Sequence, residues 1–233
     1  MASQTPATTT TRKVKTNLPR RPLPPNNARR PIHTARLVIR PLTQDDLPAL
    51  HALRTQPAVM AKTALGRVDQ DLAETQTKLD PFLAPRDAET YNPGIYLAAT
   101  GELIGLGGVF GAGSALGWPE VGYMLRSEHW GRGYATEFLA AFVEDWWGLP
   151  RGEVEVEVDA LSVSEGTGDG EGEEGNVPEL LCAIVEDTNA GSLRVMEKVG
   201  FKRFKSWTVV SRRPGSEGVE VTLIGFVRPE KLA

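Results

Sequence analysis

Between an apolar stretch ending at Leu125 and a segment with apolar residues at helical spacing lies Trp130-Gly131-Arg132-Gly133-Tyr134-Ala135-Thr136. Its residue types suit the binding of an anion. The first N–H groups of a helix have no partner within it, and the helix dipole adds to their pull on negative charge. Gly131 and Gly133 let the backbone approach an anion closely and take dihedrals that other residues avoid. Ala135 keeps the helix entrance small, and Arg132 adds a positive charge. A charge-assisted hydrogen bond contributes roughly 1.5–3 kcal/mol, so several acting together would hold a diphosphate. The same spacing also suits a plain strand-to-helix turn. A second cluster, Gly105-Leu106-Gly107-Gly108-Val109-Phe110-Gly111, superficially resembles a dinucleotide fingerprint. It is followed by a loop-like stretch through Pro119 rather than by a helix, so a bulge or close backbone packing explains it better.

Composition narrows the alternatives. A net charge of −4 over 233 residues gives no general reason to expect nucleic-acid binding. No apolar run reaches the roughly 20 residues that would span a membrane. Cys182, the only cysteine, lies in the apolar run Leu180–Val185 and reads as a buried structural thiol in a reducing compartment. His33, His51 and His129 form no metal-ligand pattern with Cys or acids, so no metal is expected. Trp118, Trp146 and Trp147 read as core residues or as lining of a substrate mouth. Residues 1–30 hold seven Lys or Arg and no acid, and residues 1–31 are expected to be a disordered basic tail. Such a tail could also target an organelle, against which its prolines speak, so a cytoplasmic location is expected. Residues 162–178, with five glycines and five acids and no basic residue, read as a disordered acidic insertion within a domain of residues 32–233.

These groups need elements to position them. Leu37–Leu42 reads as a strand, Thr43–Asp46 as a capped helix start, and Leu47, Leu50 and Leu53 as that helix's inner face. A second helix runs from Asp69 towards Pro81. Strands follow at Ile95–Ala99, Leu103–Val109 and Glu120–Leu125, then the glycine loop and its helix. Beyond lie a strictly alternating strand, Glu153–Val158, and a strand at Leu180–Val185. A short helix capped by Thr188-Asn189 leads to strands around Phe204–Val210 and Val219–Val227. The order predicts an α/β (α+β) fold: a mixed, mostly antiparallel sheet of about seven strands flanked by helices.

Four segments, in order, resemble the GNAT N-acetyltransferase superfamily, in the branch similar to ribosomal-protein-alanine acetyltransferases. They are Thr34–Leu42, Glu120–Leu125, Trp130–Glu137, and Asn189–Ser192 with Glu197–Phe201, covering about residues 34–228. The resemblance implies the acyl-CoA N-acyltransferase fold, with two splayed strands admitting the pantetheine arm of acetyl-CoA. It implies main-chain pairing of that arm with Met124, Leu125 and Arg126. The N–H groups of Gly131, Arg132, Gly133, Tyr134, Ala135 and Thr136 would cradle the pyrophosphate. Asn189 would contact the arm, cap the following helix, or both.

The implied reaction is attack by a primary amine, on a small molecule or a protein N-terminus, on the thioester carbonyl of acetyl-CoA. Glu120 is the candidate base, its plainer role being a solvated carboxylate at a strand end. Ser192 is the candidate proton donor to sulfur, its plainer role being a helix-start hydroxyl. Two departures stand out. Trp130 replaces the Gln or Arg usual in the superfamily, and no tyrosine follows Tyr134, leaving the usual leaving-group acid unassigned. An acyl-CoA-binding sensor that lost catalysis is therefore the alternative, while no nucleic-acid, membrane or metal partner is expected.

Overall fold

The computed structural model describes residues 10–109, 114–163 and 176–230. Strands β1 (Thr11–Pro19), β2 (Ile32–His33) and β3 (Leu37–Arg40) open the chain, followed by helices α1 (Leu47–Arg54), α2 (Pro57–Met60) and α3 (Leu72–Leu79). Next come β4 (Gly94–Leu97), β5 (Leu103–Val109), β6 (Val121–Leu125), α4 (Tyr134–Trp147) and β7 (Arg151–Asp159). Strand β8 (Leu180–Glu186), helix α5 (Ala190–Lys198), β9 (Lys202–Val210) and β10 (Glu220–Pro229) complete the series.

Strands β2-β3-β4-β5-β6 form one antiparallel sheet and β8-β10-β9 another. The two meet at one parallel bridge, Glu120 to Cys182, where the Cys182 N–H donates to the Pro119 carbonyl at 2.9 Å. Beyond that bridge β6 and β8 part, as the resemblance implied.

Helical and strand periodicity explain the layers. Phe138, Phe142 and Trp146 recur at helical spacing on α4 and pack with Ile95, Val121 and Leu125 of the sheet and Met196 of α5. Alternate sheet residues, among them Tyr96, Leu103 and Leu106, face the other way onto Leu50 and Leu53 of α1 and Leu79 of α3. Helices thus cover both faces. Thr43 and Asp46 form the reciprocal cap expected at the entry to α1. The glycines of β5 permit close packing: a Cβ on Gly107 would lie 2.8 Å from the Phe138 ring. Gly111 and Gly113 lie outside the described residues.

Two expectations are corrected. The basic segment is not a solvated extension over residues 10–31. Residues 11–19 form β1, antiparallel to β7 along its whole length, with Lys13 opposite Glu157 and Lys15 opposite Glu155. Val14 and Thr16 turn inward, and Leu23 is buried in the same cluster as α4. Arg29 donates to the carbonyls of Pro24, Asp87 and Thr90 at 2.7 Å each. The segment is poor in apolar residues, but it finds its partners in an acidic strand far along the chain. Residues 1–9 lie outside the described residues.

β7 leaves α4 and pairs with β1 as a separate ribbon. The parallel neighbour of β6 is β8, so the strand–helix–strand crossover closes on the later strand. Its core, with Val14, Trp118, Val158, Cys182 and Trp207, packs the ribbon against the β8-β10-β9 sheet. The second correction concerns the acidic insertion expected to be disordered over residues 162–178, whose ends, residues 162–163 and 176–178, are structured. Ser162 and Val163 are buried in a short 3-10 turn, and the Val177 N–H donates to the Lys15 carbonyl at 2.8 Å. Residues 164–175 lie outside the described residues.

Candidate functional site

The glycine loop sits between β6 and α4, at the wide end of the gap between the two sheets. Gly131 and Gly133 have φ of 73° and 82°, the left-handed region that glycine enters without steric cost. Gly133 caps α4, so the first N–H groups of the helix open onto the loop. A Cβ placed on Gly131 would meet nothing within 4 Å, leaving open space beside the loop. The Trp130 indole N–H donates to the Leu125 carbonyl at 2.8 Å and pins the start of the loop to the end of β6.

Arg36, just before β3, holds the loop from below. It donates to the Arg132 carbonyl at 2.9 Å, pairs with Glu137 at 2.7 Å, and lies over the Tyr134 ring at 4.6 Å. Burial alone would raise the Glu137 carboxyl, but hydrogen bonds from Thr34 and Arg36 outweigh it and hold that carboxyl below its usual range. Arg36 lies within the Thr34–Leu42 segment, and its place in the sequence gives no sign of this role.

The edge of β6 facing the gap is selective. The Arg126 N–H donates to the Ile104 carbonyl at 2.8 Å. By antiparallel alternation Met124, opposite Leu106, also turns its main chain to β5, while Tyr123 and Leu125 turn theirs to the gap. Of the three main-chain positions expected to pair with the arm, Leu125 alone presents its N–H there. The Arg126 side chain pairs with Glu102 and Glu128 and lines no part of the gap.

Two clefts fill the gap and share Lys62, Thr63, Tyr123, Met124, Asn189 and Ser192 as lining. The first, about 640 Å3, runs past Leu125, Gly131, Gly133, Tyr134, Ala135 and Thr136. It also carries Arg194 and Lys198 of α5, which, like Lys62, are exposed and pair with no acid among the described residues. Arg132 is exposed and contributes its main chain rather than lining the cleft. His129 is buried against Tyr134 and borders this cleft, its Nε2 3.8 Å from Glu102.

The second cleft, about 330 Å3, reaches Glu120 at the vertex where the sheets meet. Burial pushes the Glu120 carboxyl up to about 7. Cys182 is fully enclosed beside it, its Sγ 3.2 Å from Ser114 Oγ, and burial together with the nearby Glu120 pushes the thiol up. Arg213, on the β9–β10 hairpin, closes over this cleft: it is ion-paired with Glu186 and donates to the Ala61 carbonyl at 3.3 Å.

Where the clefts meet, the Tyr123 hydroxyl donates to Ser192 Oγ at 3.1 Å. The Asn189 side chain accepts from the Ser192 N–H at 3.2 Å, so it caps α5 while also lining both clefts. Sequence reasoning sought a tyrosine only downstream of Tyr134 and missed Tyr123. Its signal was present, since alternation along β6 points Tyr123 and Val121 to the α4–α5 side of the sheet. Trp118 and Trp146 are buried and Trp147 nearly so, which makes all three core residues. Among the described residues no group of three or more His, Cys, Asp or Glu could hold a metal ion, and no helix is long and apolar enough to cross a membrane.

The profile of the acetyltransferase (GNAT) domain family matches residues 36–202. No curated protein matches the chain. Solved structures do. An acetyltransferase of the GNAT family from Bacillus anthracis superposes with a TM-score of 0.59 at 18% identity, covering 86% of this chain and 99% of its own. An acetyltransferase from Agrobacterium tumefaciens gives 0.56 at 24% identity, covering 87% and 95%. The microcin C7 self-immunity acetyltransferase, solved with acetyl-CoA and AMP, gives 0.57 at 11% identity, covering 84% and 93%. At these identities the likeness speaks for the fold.

Proposed function

The chain belongs to the acetyltransferase (GNAT) domain family, and from that premise we propose that it transfers the acetyl group of acetyl-CoA to a primary amine by direct attack in a ternary complex. The observation that carries this reading is the continuous gap between β6 and β8. It has an anion-ready helix start at one end, the Leu125 N–H along its edge, and Glu120 at its vertex. The residues present fit acetyl-CoA: the loop N–H groups of residues 131–136 take the pyrophosphate, and Arg194 and Lys198 supply positive charge around it. Leu125 N–H and Asn189 hold the pantetheine arm between the strands.

Glu120 accepts the proton of the amine, directly or through water, as the nitrogen attacks the thioester carbonyl. The carbon–nitrogen bond forms, the carbon–sulfur bond breaks, and the departing thiolate takes a proton from the Ser192 hydroxyl. Tyr123 donates to Ser192 Oγ and passes its own proton to it as Ser192 gives one up, so the charge ends on the phenolate, which solvent reprotonates. This arrangement takes the place of the single tyrosine that the family often uses. Met124 walls the meeting point of the clefts and shields the thioester from water.

The test is calorimetric binding of acetyl-CoA together with thiol release across a panel of amines, with mass spectrometry of the product. Amine-dependent release that Glu120→Gln suppresses supports transfer. Tight acetyl-CoA binding with no amine-dependent release, unchanged by Glu120→Gln, would leave a binding module instead.

A further inference from the structure

The second cleft is small, and its charged lining is not symmetric. Its walls are apolar, with Val121, Val209 and Leu223 among them. Arg213 and Glu186 neutralise one another across it. That leaves Glu120, partly enclosed at the vertex, and two exposed cations, Lys62 after α2 and Arg212 at the start of the β9–β10 loop. Neither cation pairs with an acid among the described residues. Arg213, packed against Gly66 and bound to Ala61, draws the β9–β10 loop onto the segment that carries Lys62. The two cations therefore belong to one rim rather than to separate surfaces.

A carboxylate placed inward of unpaired cations, in a cleft of this size, matches a ligand with two poles. Resting on the transferase reading, we propose that the acceptor is a small primary amine that also carries an anionic group, a carboxylate or a phosphate. Its amine lies at Glu120 and its anion at Arg212 and Lys62. The guanidinium of Arg212 suits either anion, because both present paired oxygens to its parallel N–H donors. A polyamine fits poorly, since its second ammonium would face the two cations.

The experiment uses four acceptors of similar reach with the full chain and acetyl-CoA: β-alanine, ethanolamine phosphate, 3-aminopropanol and 1,3-diaminopropane. Thiol release should give kcat/KM about tenfold higher for the anionic amines than for the alcohol, carried mainly by KM, with the diamine lowest. The preference should shrink as salt rises, because the rim is exposed. The two anionic arms distinguish a carboxylate site from a phosphate site. Arg212→Ala should bring the anionic-to-neutral ratio close to one, and Arg212→Glu should favour the diamine. Arg212 is exposed, so an unchanged melting temperature checks that each variant is folded. Equal rates for all four acceptors, or a leading diamine in the unmodified chain, overturn this inference and leave acetyl transfer standing. Failure to bind acetyl-CoA overturns the transferase reading and this one with it.

Discussion

Arg36 donates to the main-chain carbonyl of Arg132 at 2.9 Å, so a residue beside β3 fixes the shape of a loop nearly a hundred positions later. In a trans peptide the N–H points opposite the C=O, so the bond turns the Gly133 N–H away from Arg36, and Gly133 lines the first cleft. With its bonds to Glu137, Arg36 sets both ends of the helix entrance. Arg36→Ala should raise the KM for acetyl-CoA by about tenfold with little change in kcat, the signature of lost positioning in the ground state. Steady-state kinetics read the split.

Gly131 and Gly101 share a φ of 73°, and a Cβ on either would meet nothing within 4 Å. Alanine at either position should therefore cost about 1–2 kcal/mol of stability. The positions differ in what they border, since Gly131 lines the first cleft and Gly101 turns a remote loop. Gly131→Ala should weaken acetyl-CoA binding about tenfold, near 1.4 kcal/mol, while Gly101→Ala leaves it unchanged. Equal affinities, measured calorimetrically, would sink the phosphate-loop assignment.

Glu120 predicts the acid limb of the pH profile. Burial raises its carboxyl from 4.5 to about 7, so the base form is lost as pH falls through 7 and the rate should fall with it. Glu120→Gln should leave a slower enzyme without that limb. Stability runs the other way. The folded state binds this proton more tightly than the unfolded chain, so the contribution of Glu120 declines as pH rises from about 4.5 to 7. Glu120→Gln should thus melt higher than the parent at pH 8, and by less at pH 5, in thermal scans.

Tyr123 and Ser192 should behave as a unit. Tyr123→Phe and Ser192→Ala should each lower kcat by at least about tenfold with small effects on acetyl-CoA affinity. The double variant should lose little more than the worse single one, because both act on one proton. Additive losses would show two independent roles.

Leu23 is 1% exposed within the cluster that holds α4. Leu23→Ala should lower stability by about 3 kcal/mol and leave acetyl-CoA affinity at temperatures below the melt unchanged. For the same reason removal of residues 1–30 should destabilise the fold, where the composition of that segment alone predicts no effect. Chemical denaturation measures both.

Local patterns carried most of the fold. The helical spacing of Phe138, Phe142 and Trp146, the alternation of β3 to β6 and the Thr43 cap are all short-range signals that tertiary packing then respects. The glycine loop was legible for the same reason, as its dihedrals depend on adjacent residues. What escaped was long-range pairing. Lys13 and Lys15 read as solvated charge until Glu155 and Glu157 stand opposite them. Tyr123 reads as an ordinary strand aromatic until α5 brings Ser192 to its hydroxyl. Arg36 is one arginine among many until the carbonyl of Arg132 arrives. Spacing along the chain sets the face on which a residue such as Tyr123 lies, but not the partner it meets there.

The β1–β7 ribbon has a consequence for synthesis. Residues 11–19 leave the ribosome well before the strand that pairs with them, which is made only after α4 is complete. Through that interval the nascent chain exposes a basic strand with both edges unpaired, a state open to wrong partners and to chaperones. Like charges on Arg12, Lys13 and Lys15 of β1 oppose pairing with the same strand of a neighbouring nascent chain until the acidic partner emerges.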